Sequence, residues 1–293
     1  MADTTDPRSE HPDEFPKQSQ DSQPGLTHQM SPAPDHGEKT YRGTGKLEGR
    51  CALISGGDSG IGRAVAIAYA REGADVAIIH LPEEEADAAS TAELITDAGR
   101  RALTIAGDVR DEGFCRDAVE RTVTTFGGLD ILVLNASYQD DRDGIESIST
   151  YEWDRVMRTN LYSMLWLTSE ARPHLHEGSS IITTTSIQAF NPSPGLIDYA
   201  MTKAAQVAFT KALAQDLGDA GIRVNAVAPG PIWTPLIPAT DWPEEKVAEF
   251  GADTPLGRAG QPAELAPAYV YLASDDATYV SGAILPVTGG KPL

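Results

Sequence analysis

From residue 50 onward, short apolar runs alternate with longer stretches in which apolar side chains recur every three or four positions. The runs at 51–55, 75–79, 102–106, 131–134, 180–185, 223–228 and 283–287 predict strands. The stretches near 61–72, 84–98, 112–127, 151–175, 199–219 and 262–273 predict helices. Parallel neighbours cannot be joined by a tight turn, so strands alternating with helices of this length require right-handed crossovers. The expected fold is α/β, a doubly wound parallel sheet of seven strands with helices on both faces. Such sheets bind ligands beyond the carboxyl ends of their strands.

Residues 1–45 differ in kind. Prolines stand at 7, 12, 16, 24, 32 and 34, and the apolar side chains are few, chiefly Phe15, Leu26, Met30 and Tyr41. Such a composition cannot bury enough area to offset the ordering of its backbone. It predicts an extended or disordered arm ahead of one domain over 46–293. The arm is either a solubilising tail or a segment that orders on a neighbouring subunit through those four anchors.

Composition narrows the remaining choices. The chain has 293 residues, 41% of them hydrophobic, enough for one sizeable core. Its net charge of −20 repels phosphate backbones, which argues against a nucleic-acid partner. No run reaches the roughly 18 to 20 apolar residues that cross a bilayer, and no secretory signal opens the chain, so a cytoplasmic location is expected and no membrane partner. The two cysteines, Cys51 and Cys115, lack metal-ligand spacing and read as buried thiols.

The first strand runs into Ser55-Gly56-Gly57-Asp58-Ser59-Gly60-Ile61-Gly62 and then a helix. Glycines there let the backbone approach a pyrophosphate, and the free amides at a helix start face its charge. Further along, Tyr199 and Lys203 stand four apart on a predicted helix, which puts phenol and ammonium on one face. A phenol ionises near pH ~10, so an adjacent ammonium that lowers this value would make Tyr199 an acid–base group at neutrality. Ser186, thirteen residues upstream and just past a strand, is placed to hold a substrate oxygen beside it.

The glycine spacing, with Asp108 and Val109 after the third strand, Asn135 and Ala136 after the fourth, Asn160, Ser186, Tyr199 and Lys203, then Arg223-Val224-Asn225 and Pro229-Gly230-Pro231-Ile232, resembles the short-chain dehydrogenase/reductase superfamily. The likeness covers about residues 47–290. It implies a Rossmann fold and an NAD(P)-dependent oxidoreductase acting on an alcohol/carbonyl pair. By that resemblance Asn160, Ser186, Tyr199 and Lys203 are catalytic, Asn160 holding a water near Lys203. Ser55, Gly56, Ser59, Gly60, Ile61, Gly62, His80, Asp108, Val109, Asn135, Ala136, Pro229, Gly230, Ile232 and Thr234 bind cofactor together with Tyr199 and Lys203, and no metal is implied. Gln23-Pro24-Gly25, Pro32-Ala33-Pro34-Asp35, Gly43-Thr44-Gly45-Lys46 and Tyr279-Val280-Ser281-Gly282 look like bacterial stress-associated members akin to glucose/ribitol dehydrogenases, which implies a homotetramer and a sugar, polyol or small carbonyl substrate.

Two departures bear on this reading. Where the family usually has Asn-Asn-Ala-Gly, this chain has Leu134-Asn135-Ala136-Ser137, removing a polar group that would tie adjacent strands. That change mildly favours an alternative, a non-catalytic NAD(P)-binding sensor or scaffold. His80 ends the second strand, where an Asp would bind the ribose hydroxyl of NAD and an Arg or Lys the phosphate of NADP. With no cation there and Glu83, Glu84 and Glu85 following, NAD(H) is favoured over NADP(H). Residues 233–255 read as a mobile flap, and Gln188, Tyr138, Gln139 and Trp233 as pocket walls.

Overall fold

The computed structural model describes residues 5–293. Seven strands form one parallel sheet: β1 Cys51–Ser55, β2 Asp75–His80, β3 Ala102–Ala106, β4 Ile131–Leu134, β5 Ser180–Thr184, β6 Arg223–Pro229 and β7 Ile284–Val287. Their order is β3-β2-β1-β4-β5-β6-β7, with every pair parallel. The helices are α1 Gly60–Arg71, α2 Glu85–Asp97, α3 Glu112–Phe126, α4 Thr150–Met157, α5 Ser163–Ala171, α6 Ile197–Asp216, α7 Leu236–Ala239, α8 Glu244–Ala248 and α9 Pro262–Ala273. Among the described residues no helix is long and apolar enough to cross a membrane.

Both sheet faces are covered, and the strands divide their side chains between them at period two. Ala52 and Ile54 of β1, Val76 and Ile78 of β2, and Ile131 and Val133 of β4 join Val65, Tyr69 and Tyr269 of α1 and α9. Leu53, Ala77, Ile79, Leu132 and Leu134 point the other way, onto Cys115 and Val119 of α3 and Leu167 of α5. The chain passes from β3 at one edge of the sheet back to β4 beside β1, so the winding reverses between β1 and β4. The carboxyl ends of those strands therefore diverge and open a crevice.

The helix expected over 151–175 is interrupted. Between α4 and α5 the backbone widens into a π-helical turn, Arg158–Tyr162, with Asn160 fully buried in it. Hydrophobic spacing does not register this extra residue, which is held by side-chain hydrogen bonds described below. Such insertions mark functional positions more often than ordinary helix.

The arm is extended and packed on its own chain. The Phe15 ring stacks on Trp233, with centroids 3.7 Å apart, and Met30 joins the same cluster with Ile237 and Val247. The Tyr41 hydroxyl donates to Glu72 at 2.6 Å, while the amides of Thr44 and Lys46 donate to the same carboxylate. Phe15, Met30 and Tyr41 of the four expected anchors thus find partners within one chain. The flap expected over 233–255 contains α7 and α8, and Trp233 within it is completely buried.

Arg223, at the start of β6, is buried and donates to the carbonyls of Leu272, Ala273 and Ser274 at the end of α9. A cation there satisfies helix-end acceptors that would otherwise be buried without donors. Arg223→Met should lower unfolding free energy by about 3 kcal/mol, given the cost of orphaned buried carbonyls and a lost charged donor. Urea denaturation checks this; a loss under about 1 kcal/mol would show that water replaces the guanidinium.

Candidate active site

One cleft lies at the carboxyl ends of the strands, with about 1350 Å³ of empty space continuous with solvent. Its floor is the turn between β1 and α1. Gly56 (φ 63°) and Gly60 (φ 49°) take left-handed backbone, and Ser59, Gly60 and Ile61 line the cleft. Ser59 is the N-cap of α1 but its side chain makes no capping bond, so the first helix amides keep their donors free of it. This is a site chemically suited to an anion.

Three residues expected among the cofactor contacts stand behind the cleft instead. The Ser55 hydroxyl accepts from the amides of Asn135 (3.0 Å) and Ala136 (3.1 Å). A Cβ on Gly62 would lie 1.8 Å from the Gly56 carbonyl oxygen, and one on Gly230 would lie 2.8 Å from Thr288 Cα. These residues shape the wall through close packing. Asn135 lines the cleft and ties strands: its Nδ2 donates to the Gly56 carbonyl at 2.9 Å, and its Oδ1 accepts from Thr184 at 3.0 Å. The link that Leu134 was expected to forfeit is supplied by the neighbouring residue, while Leu134 fills the core.

At the β2 and β3 side, His80, Asp108 and Val109 line the cleft as expected. Burial raises the Asp108 carboxyl, but the Arg110 side chain and amide outweigh it and hold the group below its usual range. The His80 ring is buried. Its Nδ1 sits 2.9 Å from the Leu81 carbonyl, while Nε2 has no hydrogen-bond partner among the described residues. Asp58 is also buried, with Oδ2 unpartnered. Glu84, whose carboxylate accepts from the Leu81 amide at 3.0 Å, lies against Asp58. Burial lifts both carboxyls above their ordinary values, and the charge on Asp58 lifts Glu84 further, so the pair holds one proton near neutrality. Neither was expected as a cofactor contact: Asp58 is visible in the glycine turn and Glu84 in an acidic run, but only the fold brings the two together.

Ser186, Tyr199 and Lys203 come together on the opposite side. Ser186 follows β5, and Tyr199 and Lys203 face the cleft one turn apart on α6; all three are buried and line it. The Lys203 ammonium donates to the Thr184 carbonyl at 2.8 Å and lies 5.2 Å from the centroid of the Tyr199 ring. The expected lowering of the phenol pKa does not follow from these residues alone. Burial pushes Tyr199 up to about 12, opposed by its hydrogen bond with Ser186, and burial pulls Lys203 down to about 7. In a dry site desolvation disfavours both charged forms and outweighs their mutual attraction.

Asn160 does not line the cleft. Its Oδ1 accepts from the Tyr138 amide at 2.8 Å and from the Ser137 hydroxyl at 3.3 Å, and its Nδ2 donates to the Tyr138 carbonyl and to Thr202. The side chain is fully occupied in positioning the loop after β4. Tyr138 and Gln139 line the cleft as expected, and Arg155 covers the Tyr138 ring at 3.8 Å. Gln188 and Trp233 do not: Gln188 bonds Ser193, and Trp233 stacks on Phe15. Pro229, Ile232 and Thr234 line the far end, with Leu236 and Ile237 of α7 beside them. Gln23, Pro24 and Gly25 of the arm complete the wall, a contribution that no spacing in the sequence signals.

Comparison with known proteins agrees with this geometry. A family model described as enoyl-(acyl carrier protein) reductase matches residues 56–291. General stress protein 39 of Bacillus subtilis is 53% identical over 96% of this chain and 98% of its own. Glucose and ribitol dehydrogenase of Daucus carota is 45% identical over 94% and 97%. A short-chain dehydrogenase from Burkholderia cenocepacia, solved in complex with NADP, superposes with a TM-score of 0.78 at 34% identity, covering 84% of this chain and 98% of that one. A shared sheet order, a glycine turn against α1 and relatives this similar along nearly the whole length place the chain in the short-chain dehydrogenase/reductase family of oxidoreductases.

Proposed function

We propose that the protein moves a hydride between a nicotinamide dinucleotide and a small alcohol or carbonyl substrate, a sugar, polyol, aldehyde or ketone, with Tyr199 as the acid–base group. The observation that carries this reading is the meeting of buried Ser186, Tyr199 and Lys203 in the cleft floored by the glycine turn. The residues suit the dinucleotide: uncapped amides at the start of α1 for the pyrophosphate, Asp108 and Val109 beside the adenine, and Pro229, Ile232 and Thr234 at the carboxamide. The carrot relative, named for glucose and ribitol, and the Burkholderia structure, solved with NADP, support the same substrate class and a nicotinamide cofactor.

A nicotinamide bound here would supply the hydride chemistry and, in its oxidised form, a positive charge. Ser186 and Tyr199 hydroxyls hold the substrate oxygen. Because burial keeps Tyr199 protonated at neutral pH, its O–H is ready to donate to a carbonyl oxygen during reduction. In the oxidative direction Tyr199 takes the alcohol proton, and the Lys203 ammonium offsets the charge on the phenolate.

Cofactor choice follows from the β2 end. Asp58 and Glu84 together carry one negative charge, and with His80 they line the cleft where the adenosine ribose would lie. Of the guanidinium groups lining the cleft, Arg110 is held by Asp108, and Arg155 is held on the Tyr138 ring and hydroxyl. This arrangement supports NAD(H), because a 2′-phosphate would meet repulsion without a free counter-charge.

Tyr199→Phe should lower kcat at least ~100-fold and leave cofactor Kd within about twofold, since it deletes one transferable proton. A nicotinamide absorbance assay over a panel of aldehydes, ketones and polyols reads this; retention of more than about a tenth of the rate would exclude the role.

Fluorescence titration should show NADH binding tighter than NADPH. The double change Asp58→Asn with Glu84→Gln is needed because either alone leaves its neighbour free to carry the charge. It should shift the ratio towards NADPH by about fivefold, the equivalent of roughly 1 kcal/mol of repulsion removed. Tighter NADPH binding by the parent would overturn the assignment.

Lys203 gives a pH dependence of fixed sign. Its folded pKa, about 7, lies below the ordinary 10.5, so the unfolded chain binds the extra proton between those values and stability rises with pH across that window. Lys203→Met should therefore melt higher than the parent at pH 7, with the advantage shrinking towards pH ~10. Equal advantages at both pH values would show that the lysine is buried without an electrostatic penalty.

A further inference from the structure

The arm makes a closed excursion over the cleft. Both of its feet stand on Trp233: Phe15 stacks on the ring, and the Pro32 carbonyl accepts from Trp233 Nε1 at 2.9 Å. The Phe15 amide also donates to the Ala248 carbonyl at the end of α8, and Met30 packs in the same cluster. Between these feet the chain travels out and back. The Gln20 amide donates to the Pro238 carbonyl at 2.7 Å, and the Gln20 side chain closes a turn onto Leu26. Gln23 donates to the Gln139 carbonyl at 2.7 Å, on the loop after β4. The Thr27 amide donates to Asp87 of α2 at 2.9 Å, on the opposite side of the crevice.

Between Gln23 and Thr27 the excursion crosses the mouth of the cleft. Gly25 is pressed there against α7: a Cβ on it would lie 2.1 Å from the Pro235 carbonyl oxygen, and backbone cannot yield as a flexible side chain can. Pro235 in turn adjoins the glycine turn, since a Cβ on Gly60 would meet Thr234 at 3.1 Å and Pro235 at 3.8 Å. Turn, flap and arm are therefore stacked in contact over the start of α1, where the pyrophosphate is proposed to lie.

We infer that residues 15–32 are a strap that holds the flap closed and retains the dinucleotide, with Phe15 and Gly25 as its positioning residues. This rests on the proposed cofactor reading and adds to it that the dinucleotide leaves only when the strap lifts. Every contact across the mouth is a single hydrogen bond or a small packed area, whereas at the feet Phe15 and Met30 are buried in the Trp233 cluster. The loop can therefore open while its feet stay attached, the behaviour of a compact loop whose ends are close together. Retention by a preordered wall shows mainly in the dissociation rate, because the strap's ordering precedes binding.

Two full-length variants test the strap at separate points. Phe15→Ala removes a foot without touching the cleft, and Gly25→Ala drives the tip from Pro235. Stopped-flow displacement of NADH should show dissociation at least tenfold faster in each, with KM for the cofactor raised; in Phe15→Ala, which lies outside the cleft, kcat should be undiminished. Circular dichroism confirms the fold, and the tryptophan emission of Phe15→Ala shifts as the ring over Trp233 is lost. Linkage supplies a readout independent of activity: saturating NADH should slow tryptic cleavage after Lys17, which pairs with Glu245 of α8. Unchanged dissociation in both folded variants, or cleavage after Lys17 indifferent to NADH, overturns the strap while leaving the cofactor reading standing. Failure of the parent to bind either NADH or NADPH overturns both.

Discussion

The site depends on how closely the first helix can approach the turn that starts it. The Gly56 carbonyl occupies the space a side chain on residue 62 would need, and the Asn135 amide donates to that same carbonyl. Ser55 takes the two amides that follow β4, and Asn135 reaches on to Thr184 of β5. Three neighbouring strands are thereby locked where the winding reverses, so the crevice has a fixed floor. Any wider turn would tilt α1 away and take its free amides from the place where an anion must sit.

Burial at the other end of the crevice acts against ionisation. Tyr199 and Lys203 are both dehydrated, so each is driven towards its neutral form even though the pair would attract as ions. The Thr184 carbonyl accepts the ammonium proton on one side and the Tyr199 ring lies on the other. A fold selected only for stability would place an apolar side chain there. The same opposition governs Asp58 and Glu84, which share a proton because two adjacent buried charges are too costly. Polar groups held this dry are poised to respond to a ligand's charge.

The arm shows how a segment too polar to fold alone becomes ordered. Its few large side chains are committed to two partner regions: Phe15 and Met30 to the Trp233 cluster, Tyr41 to Glu72 at the end of α1. Between those anchors, backbone and glutamine side chains satisfy one another or the flap. The flap gains a buried tryptophan and the arm gains a surface, so neither is ordered independently of the other.

Periodicity alone determined the seven strands to within a residue or two, since a strand buried on both faces must be apolar throughout and a crossover helix must carry a stripe. The glycine turn and the Ser186, Tyr199 and Lys203 set were legible for a similar reason: they are local spacings, and strand and helix geometry turn a local spacing into a place. Other features depend on contacts between residues far apart in the chain. The π-turn at Asn160 exists because Tyr138, Thr202 and Gln206 hold it. Glu84 becomes a cleft residue only when α2 packs against the glycine turn, and Gln23 only when the arm finds Trp233. The ionisation of Tyr199 was only partly legible, because spacing reveals which charge is adjacent, whereas the desolvation that opposes ionisation depends on everything else around the pair, and that is decided by the tertiary structure.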